Sequence, residues 1–425
     1  MACLASLLAV AGCTSGPTRV LKIGVDLPLS GQEGRAGSPA LNGIRFFVQK
    51  HPTISGFTVV VDARDDAVNG MHDAQQGVRN IQALLKDPLV IAVIGPFDSS
   101  VARAEIPIAN AASLAMISPS ASSRCLTKDP FLPAGLSSTR VETTCAAAGV
   151  PSPKDLRPTG VNNFFRLATT DDLQGPAAAD HAYKSLHLLR VAVVSDHEAY
   201  GQALASGFRS RFTRLGGTVV ASTDYDPAAN PDLTAFLQRS KQEGAQAIYF
   251  GGVTANHGCA VRAQMAPIFG AGASAPYLGG DGIAQDPACI RDAATNAAGI
   301  YATVPAIDAE NTPSARSVID AFKKQYPKAS DYGAYTMAAY DATGVVYDAI
   351  GRALKSAGDK LPARDSIISE LGATRSYTGA TGAFGFDAEG DSTLRLVSVF
   401  ESAGSDPRAT WTWIGAVDYS TTLPY

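Results

Sequence analysis

The chain has 425 residues, of which 46% are hydrophobic and 17% charged, and its formal net charge is −4. This is the composition of an ordinary globular protein with enough apolar side chains for one large or two medium domains. The acidic balance and the scattered Lys and Arg exclude a basic nucleic-acid-binding face.

In chain order, Leu4 to Ala11 comes first: apolar, far too short to span a bilayer, and suited to the apolar part of a secretory signal. The run Val10-Ala-Gly-Cys13 resembles a bacterial lipobox, which implies cleavage before Cys13 and lipid on its sulfur. Residues 14–18 then serve as a flexible tether. No Lys or Arg precedes the apolar run, so an upstream start or a plain frayed terminus stays open.

From Val20 the chain alternates. Strands are expected at Val20–Asp26, Phe57–Ala63, Val90–Ile94 and 114–117, with helices at Pro39–Lys50, Asp73–Leu85 and 101–112 between or beside them. From Arg124 to Asn162 the alternation stops, and five prolines fall in that stretch, which reads as a surface insertion. It resumes with a strand at Phe164–Leu167, a helix at Gln174–Leu188 and a strand at Arg190–Ser195, then runs on to Gly279. Helices follow at Ser314–Gln325 and Tyr332–Leu354, then antiparallel strands within 383–413. Repeated βα units argue for parallel sheets with helices on both faces, and two series imply two lobes.

Two loops in the first series carry the chemistry. Gly95 to Ser100 follows one apolar strand and opens a helix; Ser118 to Ser123 follows the next. A helix N-terminus offers free N–H groups and partial positive charge, and serine hydroxyls add donors, so the pair suits a small anionic group. The alternative is that these serines only cap helices and fill turns.

Of six cysteines, Cys3 and Cys13 lie in the signal-like region, leaving Cys125, Cys145, Cys259 and Cys289. An even number in an exported chain suggests two disulfides. Three pairings are possible; Cys125–Cys145 and Cys259–Cys289 are favoured because each closes a local loop, worth about 3 kcal/mol apiece. A metal site is disfavoured, since there is no Cys-x-x-Cys and only His257 stands near any of the four. No Gly-x-Ser-x-Gly elbow or phosphate-binding Gly-rich loop occurs, and Asp196-His197 reads as a solvated pair, so an enzyme is not expected.

A set of short motifs in a fixed order then resembles a known family. The motifs are Leu21-Lys-Ile-Gly-Val, Pro28-Leu-Ser-Gly, Leu41-Asn-Gly-Ile, Val93-Ile-Gly-Pro with Ser99-Ser, and Ile117-Ser-Pro-Ser-Ala-Ser. Further along stand Arg166, Gln174-Gly-Pro, Asp196 with Tyr200-Gly, Tyr249-Phe-Gly-Gly, Gly279-Gly-Asp-Gly and Phe384-Gly-Phe-Asp. Over about residues 20–415 the chain resembles the type I periplasmic binding proteins, in the Leu/Ile/Val-binding branch that serves ABC importers.

That resemblance implies an α/β protein of two Rossmann-like lobes joined by three crossovers, with a ligand cleft between them that closes on its ligand. Carried over, residues 20–160 and 302–385 form lobe 1, 161–301 and 386–425 form lobe 2, and 1–19 are signal and tether. It implies an exported, membrane-anchored or periplasmic monomer without cofactor, working with an ABC permease and ATPase. A sensor of the same fold acting with a signalling partner, or a non-amino-acid ligand such as a small amide, are the alternatives.

The resemblance also assigns residues. Ser99 matches the serine that holds a ligand carboxylate, and Ser120 the position whose carbonyl accepts from the ligand ammonium. Ser122, next to Ala121, matches a threonine touching both charged ends; Tyr200 matches an aromatic residue on the opposing lobe. Asp281 matches an acid, usually glutamate, that pairs with the ammonium; otherwise it is a turn aspartate between Gly280 and Gly282. A buried carboxylate needs a cation or donors, so Asp281 is expected to meet its cation on ligand binding, coupling binding to closure.

The sequence departs from the family pattern where an aromatic residue is common: Ala36 stands in the first loop and Val253 after Gly252. Asp98 is expected to cap the helix after it and point away; facing the cleft, it would favour a cationic or polar ligand. Leucine-like specificity therefore does not follow from the resemblance.

Overall fold

A computed structural model of the chain describes residues 19–129, 144–147, 149–226, 228, 232–270, 272–358, 360–402, 404 and 411–424. The signal-like run, the tether and Cys13 lie outside the described residues, as do 130–143 and 148 of the insertion.

Two sheets carry the fold. The first has six strands, in the order Thr53–Ile54, Phe57–Asp65, Val20–Leu27, Val90–Ile94, Ala115–Ser118 and Phe164–Arg166. All are parallel except Thr53–Ile54, which forms a hairpin with its neighbour. The second has seven, in the order Thr218–Asp224, Arg190–Ser195, Ala247–Gly251, Tyr277–Gly279, Ile300–Val304, Leu396–Ser402 and Trp411–Asp418. The last two run antiparallel, as the C-terminal sequence suggests. Every residue of Val90–Ile94 and of Ala247–Gly251 is buried. This is the signature of parallel strands covered on both faces, and it explains why these runs read as continuously apolar.

The first sheet grows outward from Val20–Leu27 in both directions. Loops leaving Val20–Leu27 and Val90–Ile94 therefore diverge, opening the crevice in which doubly wound sheets bind ligands. The chain passes between the two halves after Arg166, after Val304, and between Phe384 and Leu396. The helix Thr336–Ala357 returns to the first half, against the helix Gly34–Lys50.

Two expected boundaries move. Phe164–Arg166, assigned from sequence to lobe 2, is the edge strand of the first sheet, its residues paired with Met116–Ser118. The division at 301/302 cuts Ile300–Val304, which lies wholly in the second sheet. A strand must complete its backbone pairing before the chain leaves the sheet, so each crossover falls after the strand rather than before or within it. The expected helix at 174–188 also differs: it runs Asp171–Asp180 and ends in one wide turn, His181–Ser185. Cys125 is joined to Cys145 and Cys259 to Cys289, with Cα separations of 5.8 and 4.9 Å, the two local pairings that the spacing favours.

Two buried polar arrangements stand in or beside the first half. Arg166 is 0% exposed. Its Nε donates to Asp391 Oδ1 at 2.7 Å, and its Nη1 to the carbonyls of Ala121 (3.1 Å) and Ser123 (2.7 Å). Its Nη2 donates to the Thr127 hydroxyl. Burial alone would raise Asp391, but Arg166 and Lys128 hold its carboxyl well below the usual range. Asp26, Asp66 and Glu105 form a second group, each 0% exposed. Burial pushes all three carboxyls up, Asp26 to about 6, and neither oxygen of Asp66 has a hydrogen-bond partner among the described residues.

Arg166→Met leaves the buried Asp391 carboxylate with Lys128 alone and removes the donor to two loop carbonyls, and is expected to destabilise the fold by about 3–5 kcal/mol. Urea denaturation reads this directly, and a change below about 1 kcal/mol would refute it. For Asp66 the folded value is raised, so its protonated form stabilises the fold below the unfolded value near 4, and that contribution fades as pH climbs. Asp66→Asn removes the titration. It should melt above wild type at pH 8, with the gap shrinking toward pH 4; a gap independent of pH contradicts the assignment.

Candidate functional site

Between the carboxyl ends of the two sheets lies a cavity of about 100 Å³. One water needs roughly 10–15 Å³ on this measure, so the space suits a small metabolite. Ser99, Ser120, Ala121, Ser122, Tyr200 and Asp281 all line it, with Ala36, Phe97, Asp98, Val253 and Tyr335. Residues as far apart in the chain as Ala36 and Tyr335 thus converge on one space.

The first-lobe wall is two interlocked loops. Ser118, at the end of its strand, donates its hydroxyl to the Pro96 carbonyl at 2.6 Å. The same oxygen accepts from the backbone N–H groups of Ser120 (3.2 Å) and Ala121 (2.8 Å). Ser120 Oγ donates to the Phe97 carbonyl at 2.7 Å, and Ser99 Oγ accepts from the Ser123 N–H at 3.1 Å. The Ser120 hydroxyl is therefore spent on the scaffold. Ser99 keeps its own proton to donate, at the first turn of the helix Ser99–Ala111, where backbone N–H groups have no intrahelical acceptor. Ser122 gives its carbonyl to the Asp171 N–H at 3.0 Å. Arg166 holds this loop from behind through the Ala121 and Ser123 carbonyls.

The second-lobe wall centres on Asp281. Its Oδ1 accepts from Gln174 Nε2 and from the Tyr200 hydroxyl, each at 2.7 Å. Tyr200 in turn accepts from the Gly282 N–H at 3.0 Å. A Cβ on Gly280 would come within 2.5 Å of the Tyr200 oxygen, so the glycine there is the space that lets the tyrosine reach. Asp196 braces the neighbouring loop, its Oδ2 accepting from the Val253 N–H (3.1 Å) and Asn256 Nδ2 (3.0 Å). Burial raises the Asp281 carboxyl, and the hydroxyls of Tyr200 and Tyr335 and the Gln174 amide pull it part of the way back.

Among the described residues, two side-chain hydrogen bonds cross the cleft. The Tyr335 hydroxyl, at the head of the helix Thr336–Ala357, donates to Asp281 Oδ2. Arg35 Nε donates to Asp286 Oδ1 at 3.1 Å, from the helix Gly34–Lys50 to the cap of the helix Pro287–Asp292. Asp281 is expected from sequence to await a ligand cation. Here three neutral donors already surround it, because hydroxyl and amide dipoles satisfy a carboxylate without a full charge.

Asp98 corrects the sequence expectation. It stands at the N-cap position of the helix Ser99–Ala111, yet its side chain makes no capping bond. It turns instead into the cleft, with Oδ1 3.7 Å from His72 Nδ1. His72 Nδ1 also lies 2.9 Å from Glu33, and the His72 backbone N–H donates to the same carboxylate. Burial alone would lower His72, but Asp98 and Glu33 hold its imidazole well above the usual value, so it is the cation of the group. Asp98 is pushed up to about 7 by burial; His72 opposes the shift, while Glu33, Asp281 and Glu198 add to it. The side-chain attraction of His72 outcompetes a cap bond that the backbone could have made.

Sequence reasoning missed Ser118, Tyr335 and the Glu33–His72 pair. Ser118 lay inside the quoted Ile117-Ser-Pro-Ser run and Gln174 inside Gln174-Gly-Pro, without a role. For Tyr335 the chain gives no local signal beyond its place at the start of a long helix.

The sequence matches the family described as periplasmic binding protein over residues 20–405. It is 28% identical to the Leu/Ile/Val-binding protein homolog 3 of Brucella melitensis, covering 81% of this chain and 82% of that one. It is 27% identical to the Leu/Ile/Val-binding protein BraC3 of Rhizobium johnstonii, covering 90% and 91%. Among solved structures, the leucine-binding protein LivK of Thermotoga maritima superposes with a TM-score of 0.76 at 24% identity, over 94% of this chain and 99% of that one. A Rhodopseudomonas palustris solute-binding protein in complex with 4-hydroxybenzoate gives 0.74 at 18% identity, over 94% and 97%. The structural likenesses show a shared fold, and the match over most of the length settles the family: the chain belongs to the type I periplasmic binding proteins, in the Leu/Ile/Val-binding family, whose members are solute-binding proteins and not enzymes.

Proposed function

We propose that the protein is the solute-binding component of an ABC importer and takes an α-amino acid or a closely related small zwitterion in the cleft. The observation that carries this reading is the facing of unlike groups across one cavity. Ser99 and the start of its helix offer donors on one wall, and Asp281 offers a half-buried carboxylate on the other. Charge-assisted hydrogen bonds at both ends of a zwitterion are the strong ones. An arriving ammonium would take the Asp281 oxygen that Tyr335 now holds, so ligand replaces a neutral cross-cleft bond with a charged one.

The relatives support the carboxylate end. Proteins named for leucine, isoleucine and valine share this family, and the bound 4-hydroxybenzoate of one structural neighbour also carries a carboxylate. The protein is anchored outside the cytoplasm by lipid on Cys13, delivering its ligand to a permease and its ATPase.

Ser99→Ala and Asp281→Ala should each weaken binding of the best amino-acid ligand by about 1–3 kcal/mol by calorimetry, with melting temperatures close to wild type. The ligand comes from a thermal-shift screen of amino acids, small amides and benzoates, where about 100 Kd of ligand adds about 2.7 kcal/mol of stability. Binding of benzoates alone, or unchanged affinity in both variants, would overturn the reading. Cys13→Ser should move the protein from the membrane to the soluble fraction; an unchanged distribution rejects the anchor.

A further inference from the structure

We infer that the ligand carries a second positive charge, received by Asp98, which makes it a basic amino acid of the ornithine or lysine type and not a branched-chain one. The inference rests on the zwitterion reading above and adds the chemistry of the side chain.

Charge on the cavity wall is unbalanced. Glu33, Asp98, Asp281 and Asp286 line it, against Arg35 as the one cationic lining residue among the described residues. Arg35 is already paired with Asp286 at 3.1 Å. His72, just outside the lining, pairs with Glu33 at 2.9 Å and stands 3.7 Å from Asp98. Asp281 is the partner of the ligand's α-ammonium. His72 is thus shared between two carboxylates, with Glu33 the nearer, so Asp98 is the acid on the wall whose charge is least matched. Its Oδ2 is buried and has no hydrogen-bond partner among the described residues. The recess beside it deepens the negative field, since Asp196 and Glu198 line that space together with His72 and Asp98. Low-dielectric walls of one sign concentrate counter-ions of the other.

A second acceptor points the same way. Gln285 lines the cavity, and its Oε1 is also buried without a partner among the described residues. An aliphatic side chain would cover both acceptors and leave them dry and unpaired, which is the costly outcome. A site built around hydrogen-bonding groups rejects an analogue lacking the matching donors. There is also room: Ala36 and Val253 stand on the wall as small side chains, leaving length for a chain that ends in an amine.

The test is calorimetry at pH 8 with ornithine, lysine, norvaline and leucine on wild type and Asp98→Asn. Norvaline has the carbon chain of ornithine without its terminal amine. In wild type, ornithine or lysine should bind at least tenfold more tightly than norvaline and leucine. Asp98→Asn should shrink that preference to within about threefold, chiefly by weakening the basic ligand, at a melting temperature near wild type. Leucine or norvaline binding as tightly as the basic amino acids would overturn the inference and leave the zwitterion reading standing. Equal weakening of basic and neutral ligands in the variant would also overturn it, since that marks a structural role. If none of the four binds, the inference falls, and the wider amino-acid screen decides the zwitterion reading. Should Asp98→Asn fold poorly, the wild-type ranking decides the question alone.

Discussion

The binding wall of the first lobe depends on one buried guanidinium. Arg166 sits at the edge of the first sheet and fans its donors to Asp391, to the Ala121 and Ser123 carbonyls and to Thr127. Only a planar, permanently charged fork satisfies four oxygens in these directions; an ammonium would reach fewer. Burying the charge is costly, and the matched carboxylate of Asp391 with Lys128 beside it offsets that cost. The return on it is geometric. The loop 119–123 is fixed from behind, so its front can present serines to the cleft without moving. Arg166 closes the first sheet immediately before the chain crosses over, so the same side chain ties the last strand of one half to the segment that re-enters the other.

The second wall follows a different rule. Asp281 is held by hydroxyls and an amide, one of them from across the cleft. A carboxylate held by dipoles alone stays available to a stronger partner, because a cation can displace one neutral donor without leaving the rest unsatisfied. The two lobes are also joined directly by cross-cleft bonds, through Tyr335 and Arg35. A ligand shifts any balance between lobe arrangements only by the contacts it makes in one and not in the other.

Much of this was legible in the sequence. Apolar runs such as Val90–Ile94 stand between amphipathic segments, which is enough to read βα units and parallel sheets. The ordered motifs then place Ser99, Ser122, Tyr200 and Asp281 around one space, and the local disulfides follow from spacing. What escaped were choices made by distant partners. Asp98 has the residue type and position of a helix cap, but His72 draws it into the cleft, and nothing near residue 98 announces His72. Tyr335 meets Asp281 across 54 residues, and Arg35 meets Asp286 across 251. The strand Phe164–Arg166 follows a long irregular stretch, so its sheet is set by a free edge on Ala115–Ser118 and not by its neighbours in sequence.

Asp286 serves two masters with one oxygen: its Oδ1 caps its own helix through the Ala288 N–H at 2.8 Å and also takes Arg35 from the facing lobe. That short helix, Pro287–Asp292, is bolted to the helix Gly258–Phe269 through Cys289 and Cys259. The socket that receives the arginine is thus as firm as a covalent bolt makes it, and the bolt exists only after two thiols have been oxidised. One side of the cleft's rim is therefore tied by a covalent link to the helix behind it, while the arginine that meets it comes from the other lobe.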